Sequence, residues 1–318
     1  MKAVICNAYG TPDDLLIEER PSPSPADGEV TIALRARGVS YTDVLRIAGK
    51  YQVKDELPFI PGGEASGEIM EVGAGVEGLA VGDRVLCGGG FAEETVQPAD
   101  QVIRLPAHVD FKTAAAFRSN YTTAYYGLQR GRLQAGETLL VQGAAGGVGL
   151  AAVDMGKLLG ARVIATARNA QRLQICADRG ADHVIDYSDG FREQVKELTG
   201  GRGADVIYDP VGGDVFDESM RCIAPYGRIL IIGFTSGRPA LAKTNHLLVK
   251  DAEVIGFTIG ALSRHDPAWA ERNLQHLIGW LAAGRIRPYY SHEVALAHVA
   301  DALKLIEERK VIGKALLI

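Results

Sequence analysis

The sequence TLLVQGAAGGVG at residues 138–149 decides the fold of this 318-residue chain. Residues 138–142 are typical of a buried strand, and a helical pattern follows over residues 148–159. Glycines between the two let the backbone turn tightly and approach a ligand without a side chain in the way. Free N–H groups and the positive end of the helix dipole attract anions at such a place. This order of elements predicts a binding site for the pyrophosphate of a dinucleotide.

Further strands follow the glycine turn along the chain. Apolar runs rich in β-branched residues alternate with helical patterns, and the predicted strands are 138–142, 162–167, 183–186, 205–209, 228–233 and 253–258. Because strands that alternate with helices form parallel sheets, we predict an α/β fold with a Rossmann-like, doubly wound sheet of these six strands. A glycine motif alone also fits an ordinary tight turn, but its place at the first strand favours dinucleotide binding.

The two ends of the chain have a different pattern. Short β-like runs separated by glycine or proline fill the first third, and two helical patterns with a closing strand, 315–318, follow the six predicted strands. These last elements have no place in the six-stranded sheet, so we expect them to return to the first domain. The predicted domains are a mainly β domain of residues 1–120 and 265–318 and a dinucleotide-binding domain of residues 121–264.

Charge and cysteine content limit the environment and the partners. The net charge is −5, with no concentrated basic stripe, which argues against nucleic acid and anionic membranes as partners. The apolar runs are far shorter than the roughly 20 residues of a membrane span, and we expect a soluble protein without an export signal. The four cysteines, Cys6, Cys87, Cys176 and Cys222, are scattered without a Cys-x-x-Cys pair, which favours a reducing, cytoplasmic compartment.

The residue at the end of the second predicted strand indicates which dinucleotide binds. Sites for NAD usually carry Asp or Glu there, to bind the ribose hydroxyls. This chain has Arg168, which can donate two charge-assisted hydrogen bonds to a 2′-phosphate, whereas an acid would repel one. The sequence therefore predicts NADPH. The alternative is that Arg168 only solvates the start of a surface helix.

Short motifs over almost the whole chain carry a family resemblance. They are GVSYTD (38–43), GKY (49–51), LPFIPGGE (57–64), VGDRV (81–85), AAGGVG (144–149) and YDPVGG (208–213). With them the chain resembles the medium-chain dehydrogenase/reductase superfamily, and within it the zinc-independent quinone oxidoreductase branch that includes zeta-crystallin. The resemblance implies a GroES-like β domain and an active site in the cleft that faces the nucleotide domain. It also implies a homodimer in which the edge strand 253–258 pairs with its copy.

The resemblance also implies roles for particular residues. Arg168 and Tyr187 flank the 2′-phosphate, and Lys314 reaches a phosphate from the closing strand. For Tyr187, Thr123 and Phe234, ordinary packing is an equally good interpretation. The implied pyrophosphate residues are Ala144, Gly146, Gly147, Val148 and Gly149, and those toward the nicotinamide are Ser40, Thr123 and Phe234.

The positions that hold zinc in related dehydrogenases have lost their ligands. Zinc-dependent members place a cysteine where this chain has Ser40 or Tyr41, and a histidine at Gly63. A catalytic zinc needs three protein ligands of N, S or O type. We therefore predict that the protein binds no metal, and without a Lewis acid the oxidation of an alcohol becomes unfavourable.

Reduction of an activated acceptor needs less from the protein. A quinone or an α,β-unsaturated carbonyl accepts hydride at carbon and passes the charge to oxygen, where a hydrogen bond and a solvent proton suffice. Tyr51 and Tyr41 are the candidates to bind that oxygen, with pocket lining as the alternative role. If Arg118 faces the cleft, an anionic acceptor fits as well, and Arg264 is a candidate to guard the cleft mouth. The alternative for each is an ordinary surface arginine. Two other functions stay open: reduction of an enoyl thioester, and a crystallin-like dinucleotide-binding protein without turnover.

Overall fold

Both ends of the chain belong to one unit of the structure. In the computed structural model, which describes residues 1–318, Met1–Arg118 and Pro288–Ile318 form this unit and Ser119–Arg287 form a second. The first segment contains β1 (Lys2–Ile5), β2 (Leu16–Glu19), β3 (Glu29–Val39), α1 (Tyr41–Ile47), β4 (Ala65–Val72), β5 (Arg84–Cys87), β6 (Glu94–Pro98), β7 (Ile103–Arg104) and α2 (Phe111–Ala115).

The second unit alternates strands and helices. Its elements are α3 (Arg118–Arg130), β8 (Thr138–Val141), α4 (Gly147–Leu158), β9 (Arg162–Ala167), α5 (Ala170–Asp178), β10 (His183–Asp186), α6 (Arg192–Leu198), β11 (Ala204–Asp209), α7 (Gly213–Cys222), β12 (Ile223–Ile231), α8 (Thr244–Lys250), β13 (Glu253–Gly256), α9 (Ile259–His265) and α10 (Pro267–Ala282). The chain then returns to the first unit with β14 (Tyr290–Val294), α11 (Val299–Glu307) and β15 (Lys314–Leu317).

The β unit is built around a mixed sheet that the C-terminal strand completes. Its strand order is β14-β15-β3-β4-β5-β7, with β6 also paired to β3. The long strand β3 alternates between the two sides of the sheet, and its apolar residues Val30 and Ile32 pack with Ile69 and Val85 in a fully buried cluster. Strand β15 runs antiparallel to β3, with Leu316 opposite Gly38. The return of the C-terminus therefore gives the first unit part of its core.

The nucleotide unit holds a parallel sheet of six strands in the order β10-β9-β8-β11-β12-β13. Leu139, Leu140 and Val141 in the centre are fully buried, as expected for a sheet covered by helices on both faces. From β8 the chain winds outward in one direction to β10, and from β11 it winds in the other. The order reverses between β8 and β11, where such sheets open a crevice at the carboxyl ends of their strands. The predicted fold class is confirmed.

Helix α10 lies in the nucleotide unit, which corrects the predicted boundary between residues 264 and 265. Its Trp269 ring packs edge-on against Tyr126 of α3 at 4.9 Å between ring centroids. The side chain of Asn273 in α10 accepts a hydrogen bond of 3.1 Å from the side-chain amide of Gln129 in α3. Because of these contacts with α3, α10 stays in the nucleotide unit and does not return to the first domain as predicted. The chain crosses back at residue 288 instead.

None of the helices is both long enough and apolar enough to cross a bilayer.

Candidate active site

The glycine turn is tied to both neighbours of β8. The backbone N–H of Gln142 donates to the carbonyl oxygen of Tyr208 in β11 at 3.0 Å. The N–H of Ala144 donates to the carbonyl oxygen of Thr166 in β9 at 2.8 Å. Gly143, between them, has a φ of +55°, which is favourable for glycine. The turn therefore starts from a fixed backbone and leads directly into α4.

The glycines of this turn form a cradle, and at Gly149 an added side chain would collide with backbone. A Cβ atom on Gly149 would lie 2.6 Å from the carbonyl oxygen of Gly143 and 2.7 Å from Cα of Ala144. Gly146, the residue that precedes α4, has only the Gly143 oxygen nearby, at 3.4 Å. Gly146, Gly147 and Gly149 thus bring no side chains to the N-terminus of α4. These residues fit a pyrophosphate group.

Asn120 contacts the turn from α3, and sequence analysis missed it. A Cβ atom on Gly147 would lie 2.7 Å from Nδ2 and 2.8 Å from Oδ1 of Asn120. The Asn120 side chain is buried, so its amide occupies the space that any other residue at position 147 would need. No periodic or motif signal in the sequence links these two residues, which are far apart in the chain.

We expect Gly147→Ala to lower the free energy of unfolding by about 1–3 kcal/mol, because the new methyl group overlaps the Asn120 amide. Adding Asn120→Ala should recover much of that loss, with a coupling of about 1–2 kcal/mol between the two sites. Urea unfolding of the two single variants and the double variant measures this coupling. The control is Gly279→Ala in α10, where no atom lies within 4 Å of the added Cβ and no loss is expected. Strictly additive effects at 120 and 147 would contradict the contact.

Arg168 and Tyr187 lie together at the ends of β9 and β10. The Arg168 guanidinium carbon is 5.0 Å from the centroid of the Tyr187 ring, a cation–π arrangement. The following residue, Asn169, has a φ of +66°, and its N–H donates to the Asp186 carboxylate at 3.3 Å. The Ser188 hydroxyl and N–H bind the same carboxylate and hold the pKa of Asp186 below its usual range. The two residues predicted to flank the 2′-phosphate, Arg168 and Tyr187, are therefore in contact.

Two of the residues predicted near the nicotinamide, Thr123 and Phe234, already have contacts within the nucleotide unit. The Thr123 hydroxyl donates to the carbonyl oxygen of Ser119 at 2.7 Å, within its own helix. Phe234, just beyond β12, is 37% exposed, and its ring packs against Gly212. Both stay predictions as cofactor contacts.

Asp209, at the carboxyl end of β11, supports the loop beside the glycine turn. Its Oδ1 atom accepts hydrogen bonds from the N–H groups of Val211 at 2.8 Å and Gly212 at 3.0 Å. Its Oδ2 atom is buried without a partner, and burial raises the pKa of this carboxyl. The loop then passes through Gly212 and Gly213, which have φ values of +69° and +58°. The Asp209 carboxyl group therefore holds the backbone of the loop that lies beside the glycine turn.

In the β unit, Ser40 and Asp43 bind each other at the start of α1. The hydroxyl and the N–H of Ser40 both donate to Oδ2 of Asp43, each at 2.8 Å. Asp43 is 3% exposed, and burial raises its pKa although Ser40, Lys314 and Arg46 oppose this effect. The Ser40 hydroxyl is already engaged by a carboxylate in this structure.

Lys314 forms a buried ion pair with Glu64. Lys314 is the first residue of β15 and is 2% exposed, while Glu64 is 4% exposed. A contact of Lys314 with a phosphate stays a prediction, and such a contact would have to compete with this carboxylate.

Tyr41 and Tyr51 lie at opposite ends of α1. Tyr41 is the first residue of the helix, and the N–H of Tyr51 donates to the carbonyl oxygen of Leu45 at 3.2 Å in the turn that follows it. Both side chains are half-buried. Their part in catalysis stays a prediction.

The residues at the former zinc positions do not form a metal site. In residues 1–318, no group of three or more His, Cys, Asp or Glu side chains is arranged to hold a metal ion. The space around Gly63 is open, and glycine offers no ligand. The donor set therefore does not fit a catalytic zinc.

Comparisons with known proteins agree with both units. Residues 26–107 match the family described as alcohol dehydrogenase GroES-like domain, and residues 147–276 match the family described as zinc-binding dehydrogenase. The quinone oxidoreductase-like protein 2 homolog of Nematostella vectensis is 41% identical, over 99% of this chain and 88% of that protein.

Solved structures give the same result. The quinone oxidoreductase of Escherichia coli complexed with NADPH is 30% identical, with a TM-score of 0.91 and complete coverage of both chains. The quinone oxidoreductase of Thermus thermophilus, determined alone and with NADPH, is 30% identical over 100% of this chain and 99% of that one, with a TM-score of 0.87. On these similarities and the fold, the chain belongs to the medium-chain dehydrogenase/reductase superfamily, in its quinone oxidoreductase branch.

Proposed function

We propose that this protein is an NADPH-dependent reductase that transfers hydride, without a metal, to a quinone or an α,β-unsaturated carbonyl compound. The observation that carries the proposal is the glycine cradle at the N-terminus of α4, with the Arg168–Tyr187 pair at the ends of the next two strands. A cradle without side chains fits a pyrophosphate, and a stacked guanidinium fits a 2′-phosphate. The NADPH complexes of two similar quinone oxidoreductases support the same choice of cofactor.

Each part of the cofactor has proposed partners in this chain. Ala144, Gly146, Gly147, Val148 and Gly149 cradle the pyrophosphate. The N–H groups of Ala144 and Gly146 donate to the carbonyl oxygens of Thr166 and Gly143, so the proposed donors are the first N–H groups of α4. Arg168 with Tyr187 binds the adenosine 2′-phosphate. Thr123, Phe234 and Ser40 are the proposed residues toward the nicotinamide, and Lys314 is the proposed further phosphate contact. When bound, the reduced nicotinamide supplies the hydride.

The donor set favours an acceptor that needs no Lewis acid. Ser40 and Gly63 stand where zinc-dependent relatives carry ligands, and Ser40 is bound to Asp43 instead. Hydride addition to a quinone or enone places negative charge on an oxygen atom, which a hydroxyl donor and a solvent proton can stabilise. The proposed donors are Tyr41 and Tyr51, and the remaining contribution of the protein is to orient the reactants.

An anaerobic screen of NADPH oxidation tests this function. The acceptors are quinones, alkenals, 2-haloacrylates and enoyl thioesters, with NADH run in parallel and the zinc content of the protein measured. We expect turnover with at least one quinone or enone, a preference for NADPH, and less than stoichiometric zinc. Tight NADPH binding with every acceptor inert would instead indicate a dinucleotide-binding protein without turnover. Stoichiometric zinc would contradict the metal-free chemistry.

Arg168→Asp should raise the Michaelis constant for NADPH by roughly tenfold or more, because each hydrogen bond to a charged group contributes about 1.5–3 kcal/mol. The Michaelis constant for NADH should change much less, since NADH lacks the 2′-phosphate. Arg130→Asp is the control, with the same charge change on an exposed residue at the end of α3. Steady-state kinetics with both nucleotides give the comparison. Equal, small effects on the two constants would remove Arg168 from the site.

We also propose a homodimer formed through β13. This strand ends the six-stranded sheet, so its outer edge has no partner in the chain. The preceding helix α8 exposes Leu248 at 79% and Val249 at 80%. An open sheet edge beside exposed apolar side chains is typical of a surface that a second copy covers.

The double variant Leu248→Lys/Val249→Lys should shift the protein from dimer to monomer, because charge replaces the apolar surface beside β13. Size-exclusion chromatography with light scattering measures the mass. Val81→Lys, at another exposed apolar residue (66% exposed), should remain a dimer. A monomeric wild-type protein would contradict the assembly.

A further inference from the structure

A fully buried amide lies directly beneath the glycine turn. Gln142 follows the last residue of β8 and precedes Gly143, and its relative exposure is 0%. The three residues before it, 139–141, are apolar and also fully buried. A polar side chain in such surroundings is costly unless it is hydrogen-bonded. Its partners therefore indicate what it does.

Gln142 bridges a strand and a helix on either side of the turn. Its Oε1 atom accepts a hydrogen bond of 2.6 Å from the Thr166 hydroxyl in β9. Its Nε2 atom donates to the Ser219 hydroxyl in α7 at 3.1 Å. Thr166 and Ser219 are themselves fully buried. The three side chains form a water-excluded network that connects β8, β9 and α7.

The same network holds the backbone of the turn. Thr166 makes two hydrogen bonds to the start of the turn. Its carbonyl oxygen accepts the Ala144 N–H at 2.8 Å, and its hydroxyl donates to the side chain of Gln142. Thr166 is also two residues before Arg168 in the chain. A change at Gln142 therefore acts on the backbone beneath the pyrophosphate cradle and on the strand that ends at Arg168.

We propose that Gln142 is a positioning residue for the dinucleotide, whose amide bridge to Thr166 and Ser219 fixes the glycine turn in its binding geometry before the nucleotide arrives. This inference rests on the proposed NADPH-dependent function. Gln142 itself contacts no ligand, since it lies under the turn. It acts by holding the backbone that leads into α4, whose first N–H groups are the proposed phosphate donors.

The test separates positioning from stability. Gln142→Met keeps the length of the side chain but leaves two buried hydroxyls without their partner, so both stability and NADPH affinity should fall, the affinity by roughly 5- to 10-fold. The triple variant Gln142→Met/Thr166→Val/Ser219→Ala removes all three polar groups and should regain most of the stability, because replacing every partner by apolar groups is often nearly neutral. Its NADPH affinity should stay weak, because the bridge is still missing.

Three measurements decide the matter. Calorimetry gives the dissociation constant for NADPH, urea unfolding without nucleotide gives stability, and hydrogen exchange without nucleotide reports the protection of the Ala144 amide. In both Gln142 variants this amide should exchange faster than in the wild type. Thr199→Val is the control, since its hydroxyl donates to Val195 at 2.7 Å and accepts from the Gly203 N–H at 2.9 Å at the opposite, amino end of β11. It should lose stability with unchanged NADPH affinity.

The outcomes distinguish this inference from the proposed function. If the wild type binds NADPH and the affinity of the triple variant recovers with its stability, Gln142 is merely structural and the inference fails. If Gln142→Met binds NADPH as tightly as the wild type, the inference fails as well. A wild type that binds no NADPH would overturn the proposed function itself.

Discussion

The structure of the nucleotide unit depends on one constraint: the backbone that leaves β8 must turn sharply at the point where the sheet order reverses. Strand β8 lies between β9 and β11, so its end is held by hydrogen bonds on both sides. Only a residue without a side chain fits at Gly149, where a Cβ would meet backbone atoms at 2.6 Å and 2.7 Å. Because this close packing requires glycine, no side chain from this position covers the N-terminus of α4, where an anion can bind. Fold and binding site therefore share one cause.

Two buried acidic residues of the β unit are satisfied by partners within the protein. Asp43 and Glu64 are almost fully buried, and an unpaired carboxylate in such a place would be strongly destabilising. Ser40 donates twice to Asp43, and Lys314 pairs with Glu64. Both carboxylates thus have hydrogen-bond or ion-pair partners within the protein. This supports an acceptor chemistry in which the protein orients reactants and donates hydrogen bonds.

Local patterns in the sequence predicted much of the sheet but not its irregular parts. Strand β12 begins at Ile223, five residues before the predicted start at Arg228. In the structure Tyr226 adopts a φ of +60° and the strand continues through it. Ile223 pairs with Ala204 of β11 and Arg228 pairs with Val206, so residues 224–227 form an irregularity in this pairing.

The contacts around the site were harder to predict, since they join residues remote in sequence. The packing of Asn120 on Gly147 and the bonds of Gln142 to Thr166 and Ser219 follow from the three-dimensional arrangement of α3, α7 and the sheet. Arg168 was predicted from its place at the end of the second strand, and Tyr187 from the family resemblance; the structure places the two side chains together because the parallel strands β9 and β10 end at the same edge. The measurement that most directly tests metal-free hydride transfer uses NADPH deuterated at one C4 position, an enone acceptor, and protein pretreated with a chelator. Direct transfer predicts that deuterium from one C4 face appears on carbon in the reduced acceptor. Metal-free transfer predicts that treatment with the chelator leaves the rate unchanged. Deuterium lost to solvent, or turnover abolished by the chelator, would contradict this account.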